Sequence, residues 1–309
     1  MSIRRSQASV LSGINTASTD KIDVVYNKVS AGFIPTLVSS VTEYTSSTTW
    51  SRPSNVHYID LYLVGGGGSG AQGVQAADTR SGGGGGGGAV IQFNKFYVGD
   101  YDSWYLLIAG QSSRAETGRG DCCCDSWGHG GNPTIFSPVA TSFNKAALTG
   151  TDSTTFKRTL IAPAGGGGGH PCGSLGTYFA SAGGSGSNGD VGHWGWGGSG
   201  GQNEYVGAIR IGHQGYGGRQ GSPGSASGHG GGGGGAGGQG SGVTEGSGKA
   251  LQSPFSGTYG VGGRGGNGGL NGVSGTANTG NGGAGNRGSS TLGGYGASGR
   301  AGIRMHFSS

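Results

Sequence analysis

The sequence predicts an all-β fold with much irregular structure and almost no α-helix: a small antiparallel β-domain joined to a bundle of polyglycine II helices. Two observations carry this. Glycine recurs at every third position in two long runs, Gly183, Gly186, Gly189, Gly192, Gly195, Gly198 and Gly201, then Gly257, Gly260, Gly263, Gly266, Gly269, Gly272 and Gly275. Short apolar stretches with strand-like alternation open out of, or run into, uninterrupted glycine tracts at 65–68 and 82–88. Shorter runs at 212–224, 228–240, 282–288 and 293–302 keep the period of three.

That period fits neither the α-helix nor the β-strand. It fits the polyproline II conformation, which has three residues per turn and no internal hydrogen bonds. A glycine at every third position leaves one edge of such a helix bare. Neighbouring backbones can then approach, and N–H and C=O groups unpaired within one helix pair across to the next, with Cα–H···O contacts adding weakly. Collagen would need an unbroken Gly-X-Y register and abundant proline. Here the register breaks repeatedly and the chain of 309 residues has 8 Pro, so a fold-back bundle is expected.

Composition bounds the rest. With 80 Gly and 31% hydrophobic residues, the chain resembles a linker by content alone. The net charge is +5, but Lys and Arg are scattered, so no nucleic-acid partner is expected. Residues 1–30 lack the apolar core of a signal peptide, and no stretch approaches the ~20 apolar residues of a membrane span.

Taken in order, residues 1–40 read as an N-terminal attachment segment with a strand near 22–29, built on Ile22, Val24, Val25 and Tyr26. Residues 41–164 read as the β-domain, with glycine tracts and a Cys-containing insertion. Its expected strands are 41–44, 57–64, 89–93 and 104–110. Residues 165–309 read as the glycine bundle, closed by a strand at 302–307.

The step Thr49-Trp50-Ser51-Arg52-Pro53, followed by a strand ending in Val64 and four glycines, resembles the glycine-rich domain of bacteriophage tail fibres. So do the second glycine tract feeding a strand, Leu106-Leu107-Ile108-Ala109-Gly110-Gln111, and the ending Gly299-Arg300-Ala301-Gly302-Ile303-Arg304-Met305-His306-Phe307. The resemblance covers about 44–110 and 165–307, and extends more loosely to distal tail-fibre adhesins tipped by a polyglycine II sandwich. It implies receptor binding at the distal end of a fibre, in a virion made in the host cytoplasm. Expected partners are other tail or baseplate proteins through the N-terminal segment and a bacterial surface receptor, protein or glycan. Fibres of this kind are commonly homotrimers, and a single bundle capping a fibre as a monomer is the alternative. The insertion at 111–164 matches nothing in the resemblance.

Sites for chemistry are few. Gly197-Gly198-Ser199-Gly200-Gly201 has the spacing of a nucleophile elbow, but that elbow needs a strand-to-helix turn in an α/β sheet. Matches to dinucleotide and phosphate loops fail for want of the same context. Neither catalysis nor a cofactor is expected. Cys122, Cys123 and Cys124 are consecutive, and Cys172 follows His170. Cys122 or Cys124 with Cys172 are candidates for a disulfide. Joined by His129 or His170 they are candidates for a metal site, although the spacing is not a standard zinc pattern. Free thiols are the third reading. Arg119-Gly120-Asp121 reads as a solvated turn.

The connections between runs point to a binding surface. In an alternating bundle, 202–211, 241–256 and 289–292 share one end, while the tight turns 225–227 and 276–281 share the other, along with 170–182. Long loops on a rigid frame are where binding residues concentrate. The receptor-binding candidates are therefore Tyr205, Ile209, Arg210, Lys249, Leu251 and Phe255, followed by Trp127, His129, Tyr178 and Phe179. Tyr and Arg suit such surfaces. Three rival readings are a purely structural virion protein, an ice-binding protein and a glycine-rich extracellular receptor domain. Trp194, Trp196 and Tyr216 within the runs argue against the flat small-residue face that ice binding needs. The missing signal peptide argues against the last.

Overall fold

A computed structural model describes residues 37–73, 81–113, 128–138, 159–169, 205–206, 209–210, 230–241, 243–266, 272–286 and 292–308. Every regular element among them is a strand: β1 (Leu37–Val38), β2 (Thr42–Tyr44), β3 (Thr48–Ser51), β4 (Val56–Val64), β5 (Val90–Tyr97), β6 (Ser103–Leu107), β7 (Thr134–Ser137), β8 (Leu160–Ala162), β9 (Tyr205–Val206), β10 (Ile209–Arg210), β11 (Lys249–Ala250), β12 (Thr258–Tyr259) and β13 (Arg300–Phe307). The strand expected near 22–29 lies outside the described residues.

Two antiparallel sheets face each other. The first has the order β1-β13-β4-β5, with β2 also on β13, and the second has the order β3-β6-β7-β8. Strand alternation points Ile59, Leu61 and Leu63 of β4 to the inner face. There they meet Ile91, Ile303, Trp50, Trp104, Leu106, Phe136 and Leu160. Trp104 stacks on Phe136, with ring centroids 4.7 Å apart and planes 7° apart. β7 and β8 come from the insertion, so residues expected to stand apart supply half of the second sheet. Their strands are only three or four residues long, too short to announce themselves by alternation.

Past the sandwich, the strands run on as glycine segments, and the bonding changes from a ladder to a period of three. Gly65, Gly68 and Ala71 donate to Ala89, Gly86 and Gly83. Gly66 and Ser69 donate to Asn132 and His129, while Gly67 and Gly70 donate to Ala297 and Gly294. Successive residues therefore bond three different neighbours. The tract 82–89 does the same: Gly82, Gly85 and Gly88 donate to Asn286, Gly283 and Gly280, while Gly83, Gly86 and Ala89 donate to Gly169, Gly166 and Pro163. This is the polyglycine II pattern. Backbone bonds in three directions replace the apolar layer that a sandwich needs.

Glycine is required here by space rather than by φ. A Cβ on Gly85 would stand 2.1 Å from Gly68 O, and one on Gly296 would stand 2.0 Å from Gly67 O. The number of bare edges tracks enclosure. The uninterrupted tract 82–88 is buried throughout, whereas 260–266 turns Gly262, Gly263, Gly265 and Gly266 inward and Val261 and Arg264 outward.

The run 257–275 is two passes, not one. Gly257, with φ +108°, belongs to the β11–β12 hairpin, where a Cβ would meet the Tyr259 ring. Segment 260–266 packs on 82–88, with Gly263 and Gly266 donating to Gly85 and Gly82. Gly272 and Gly275 instead face the 292–297 segment and Asn281. The reason is length: at ~3.1 Å per residue, the eight residues 82–89 already span the bundle at about 25 Å, so a nineteen-residue run must turn back. Gly269 and the whole run from Gly183 to Gly201 lie outside the described residues.

Candidate functional site

The molecule has two poles. β1 meets the end of β13, with Leu37 opposite Phe307, at the sandwich pole. The chain therefore enters the fold there from residues 1–36. The opposite, glycine pole is marked by Ala71, Gly82, Gly128, Gly169, Gly230, Gly266 and Asn286, which hydrogen-bond one another or lie one step apart in the array. Connections 74–80, 114–127, 267–271 and 287–291 all leave and re-enter the described residues at this pole. The stretch after Gly169 and the stretch before Gly230 do so too.

The loops that the sequence placed at a free tip lie elsewhere. The hairpin β11–β12 folds over the outer face of β4 and β5. Phe255 is 5% exposed and packs edge-on to Tyr62 at 4.9 Å, while Tyr259 stacks on Tyr62 at 5.9 Å. Gln92 clamps the loop from β5: its Nε2 donates to Gln252 O at 3.0 Å, and Gln252 N donates to its Oε1 at 2.9 Å. Leu251 is half-buried and only Lys249 is exposed among the three described candidates of this loop. Phe255 is therefore a core residue, not a contact at a tip. Its environment is apolar because Val64, Val90 and Ala236 complete the cluster.

The turn at 277–280 also lies at the sandwich end, since Gly280 donates to Ser298 O and accepts from Gly88. Thus the later part of 241–256, from Lys249 on, shares the sandwich end with 276–281, contrary to the alternating scheme, whereas Val243, which accepts from Gly265, lies toward the glycine pole, so that 243–250 is itself a pass along the array. β9 and β10 pair as a hairpin, Ile209 opposite Val206 and Arg210 opposite Tyr205, and β10 runs beside β8. His129 is exposed next to the glycine pole, with its N–H donating to Ser69 Oγ at 2.7 Å. Trp127, Tyr178, Phe179, Cys122, Cys124 and Cys172 lie outside the described residues. Among the described residues no group of three or more His, Cys, Asp or Glu side chains is placed to hold a metal ion, and no helix is long and apolar enough to cross a membrane.

A family profile for the glycine-rich domain matches residues 42–306. The chain belongs to the glycine-rich domain family. No characterised protein matches it in sequence. The matched span of this glycine-rich domain begins at β2 and ends in β13, so it takes in the second sheet, the first sheet apart from β1, and every described glycine segment.

Two polar clusters of the glycine-rich domain escaped sequence reasoning. On the outer face of the first sheet, Asp60 is 1% exposed. Arg304 Nη2 lies 2.5 Å from its Oδ2, His306 Nε2 2.9 Å from its Oδ1, and Lys95 N donates to Oδ1 at 2.9 Å. Burial alone would push the Asp60 carboxyl up. The Lys95 amide, His306 and Arg304 outweigh it and hold the group below the usual aspartate value. Lys95 takes φ +54° to present that amide, at the β4–β5 register shift between Ile59 and Leu61.

One row nearer the glycine array, Tyr62 Oη donates to Glu43 Oε2. Arg300 Nη1 donates to Tyr259 Oη at 3.0 Å, and Arg300 Nε lies 3.5 Å from Glu43 Oε2. Burial, then Glu43, raises the Tyr62 phenol far above its ordinary range. This network fixes the hairpin to the sheet. The only sequence signal for either cluster is the spacing of Arg300, Arg304 and His306 on one face of β13.

Proposed function

We propose that this glycine-rich domain is a bacteriophage tail-fibre or tail-tip adhesin. Its N-terminal segment docks to other tail or baseplate proteins, and its glycine pole recognises a host-cell surface receptor. The supporting observation is polarity. The chain enters at the sandwich pole, and connections 74–80, 114–127, 267–271 and 287–291 leave the described residues at the opposite one. Between them, the array is bonded in three directions, so connection sequences can vary without disturbing the frame, as a receptor-binding tip requires. Of the candidates, His129 adjoins that pole, and Trp127, Tyr178 and Phe179 belong to stretches of chain whose described neighbours, Gly128 and Gly169, lie there. Tyr205, Ile209, Arg210 and Lys249 belong to hairpins at the sandwich end.

The test is competition. Purified protein added to host cells blocks adsorption of the particle that carries it, and its mass in solution tells monomer from trimer. Protein that binds no cells, yet co-sediments with tail or baseplate components through surfaces at both poles, establishes the purely structural virion reading instead.

A further inference from the structure

The outer N–H and C=O groups of an edge strand are open to pairing with another chain, and proteins guard such edges with short strands, bulges, charges or cover. Three edges of the sandwich are guarded in these ways. On the outer side of β13 lie only β1 and β2, two and three residues long. β5 is bent at Lys95, whose φ of +54° turns its amide back to Asp60 Oδ1 at 2.9 Å, and its Gln92 is clamped to Gln252. β10 runs beside β8. The remaining edge, β3, differs. Its register with β6 is regular from Thr48 to Ser51. Thr48, Thr49 and Ser51 are exposed, and no charged residue occurs from Tyr44 to Ser51.

The bonding phase shows which groups of β3 face outward. Arg52 N donates to Asp102 O at 2.9 Å. Bonds along an antiparallel pair alternate, so Thr48 and Trp50 turn their backbone groups to β6, and Thr49 and Ser51 turn theirs away from it. Among the described residues, Thr49 O accepts only the Thr48 hydroxyl, at 3.5 Å, and the backbone groups of Ser51 have no partner. We propose that β3 is a homodimer edge, pairing antiparallel with β3 of a second copy about a twofold axis beside Trp50. Thr49 then lies opposite Ser51 of the copy, and Ser51 opposite its Thr49, each pair exchanging both backbone bonds. The chemistry of the strand selects this occupant. In a twofold contact one patch serves both copies, so the strand must tolerate itself. β3 brings no charge to the contact, and Thr beside Ser is a favourable cross-strand pair. Arg52, the nearest cation, is turned away, with Nε on Tyr101 O at 2.9 Å and Nη1 on Val56 O at 3.0 Å. Trp50 stays in the core, so the contact is mainly backbone, small and weak. Pairing of this kind is independent of the adhesin reading.

Sedimentation of the full chain, from micromolar to near-millimolar loading, tests this. The wild type passes from monomer to dimer. Thr49→Pro removes an outward amide and no internal bond. It raises the dissociation constant about tenfold or more and leaves Tm within about 2 °C of wild type. Charge variants read the same point should the proline variant fail to fold. Thr49→Lys with Ser51→Lys sets lysines opposite one another and stays monomeric, as does Thr49→Glu with Ser51→Glu. Mixed in equal amounts, the two form a heterodimer. A wild type that is monomeric throughout, or trimeric, overturns the proposal. So does a dimer that both charge variants keep, or a mixture of the two that stays monomeric.

Discussion

Thr134 Oγ1 on β7 donates to Val64 O on β4 at 2.6 Å, and the same oxygen accepts from Ala109 N at 3.1 Å. One hydroxyl thus ties the two sheets together where the sandwich gives way to the glycine array. Gly299 sits against it, since a Cβ there would stand 2.1 Å from Val64 O and 2.5 Å from Thr134 Oγ1. Thr134 is fully buried. Thr134→Val keeps the shape and leaves the Ala109 amide without its acceptor, which costs about 1–3 kcal/mol. Thr134→Ser keeps the hydroxyl and loses less. Urea denaturation of the two variants side by side measures the difference.

The inward and outward edges of one segment give a second contrast. A Cβ on Gly263 would stand 2.0 Å from Gly283 O. Arg264, next in the chain, points outward and pairs with Glu245 at 2.7 Å, with a side chain 54% exposed. Gly263→Val yields insoluble protein or a Tm far below wild type. Arg264→Ala removes an exposed ion pair and costs no more than about 1 kcal/mol. Similar losses for both would mean that the array is not close-packed.

The period of three was legible because it is a one-dimensional signal: each bare edge repeats in the sequence as it does in space. β4 and β13 were legible for the same reason, through alternation. Neighbour choice was not. Nothing local distinguishes Gly82, which bonds Asn286, from Gly83, which bonds Gly169, because identical residues carry no partner information. Nor did the sequence show that the 257–275 run reverses, since the turn preserves the glycine phase. The burial of Phe255 was hidden because its partner, Tyr62, is almost two hundred positions away and is itself disguised as an ordinary strand aromatic.

Phe255→Ala is accordingly a stability variant. It empties a site bounded by Tyr62 and Tyr259 and costs about 3–5 kcal/mol. Lys249→Ala, on the exposed side of the same hairpin, stays within about 0.5 kcal/mol. Thermal melting separates them, and an unaltered Tm in Phe255→Ala would mean the hairpin does not rest on the sheet.

Acid weakens the first sheet through Asp60. Its folded-state pKa lies below the unfolded value of about 3.9. The folded state therefore binds the proton less readily, and the stabilisation is complete above about pH 5. It is lost as the pH falls through about 4 toward the folded-state value. Asp60→Asn, which strands Arg304 in a partly buried position, costs about 3 kcal/mol at pH 7, and its stability depends less on pH between about 5 and 2. Unfolding curves at pH 7 and pH 3 for both proteins test the sign. A wild type equally stable at the two values would remove Asp60 from the account.

The receptor reading makes a prediction about poles. Trp127 immediately precedes Gly128 in the sequence, and Gly128 donates to Gly168 O at 2.9 Å at the glycine pole. Tyr178 follows Gly169 by a short stretch of chain. Tyr58 lies at the other pole, 46% exposed, with its ring 5.3 Å from that of Tyr97. Aromatic side chains dominate binding surfaces because they offer large area at low entropic cost. Trp127→Ala combined with Tyr178→Ala should abolish adsorption to host cells and leave Tm within about 2 °C of wild type, since the glycine array does not depend on its connections. Tyr58→Ala should adsorb normally. If Tyr58→Ala alone stops adsorption, the poles are reversed, and the sandwich end faces the host.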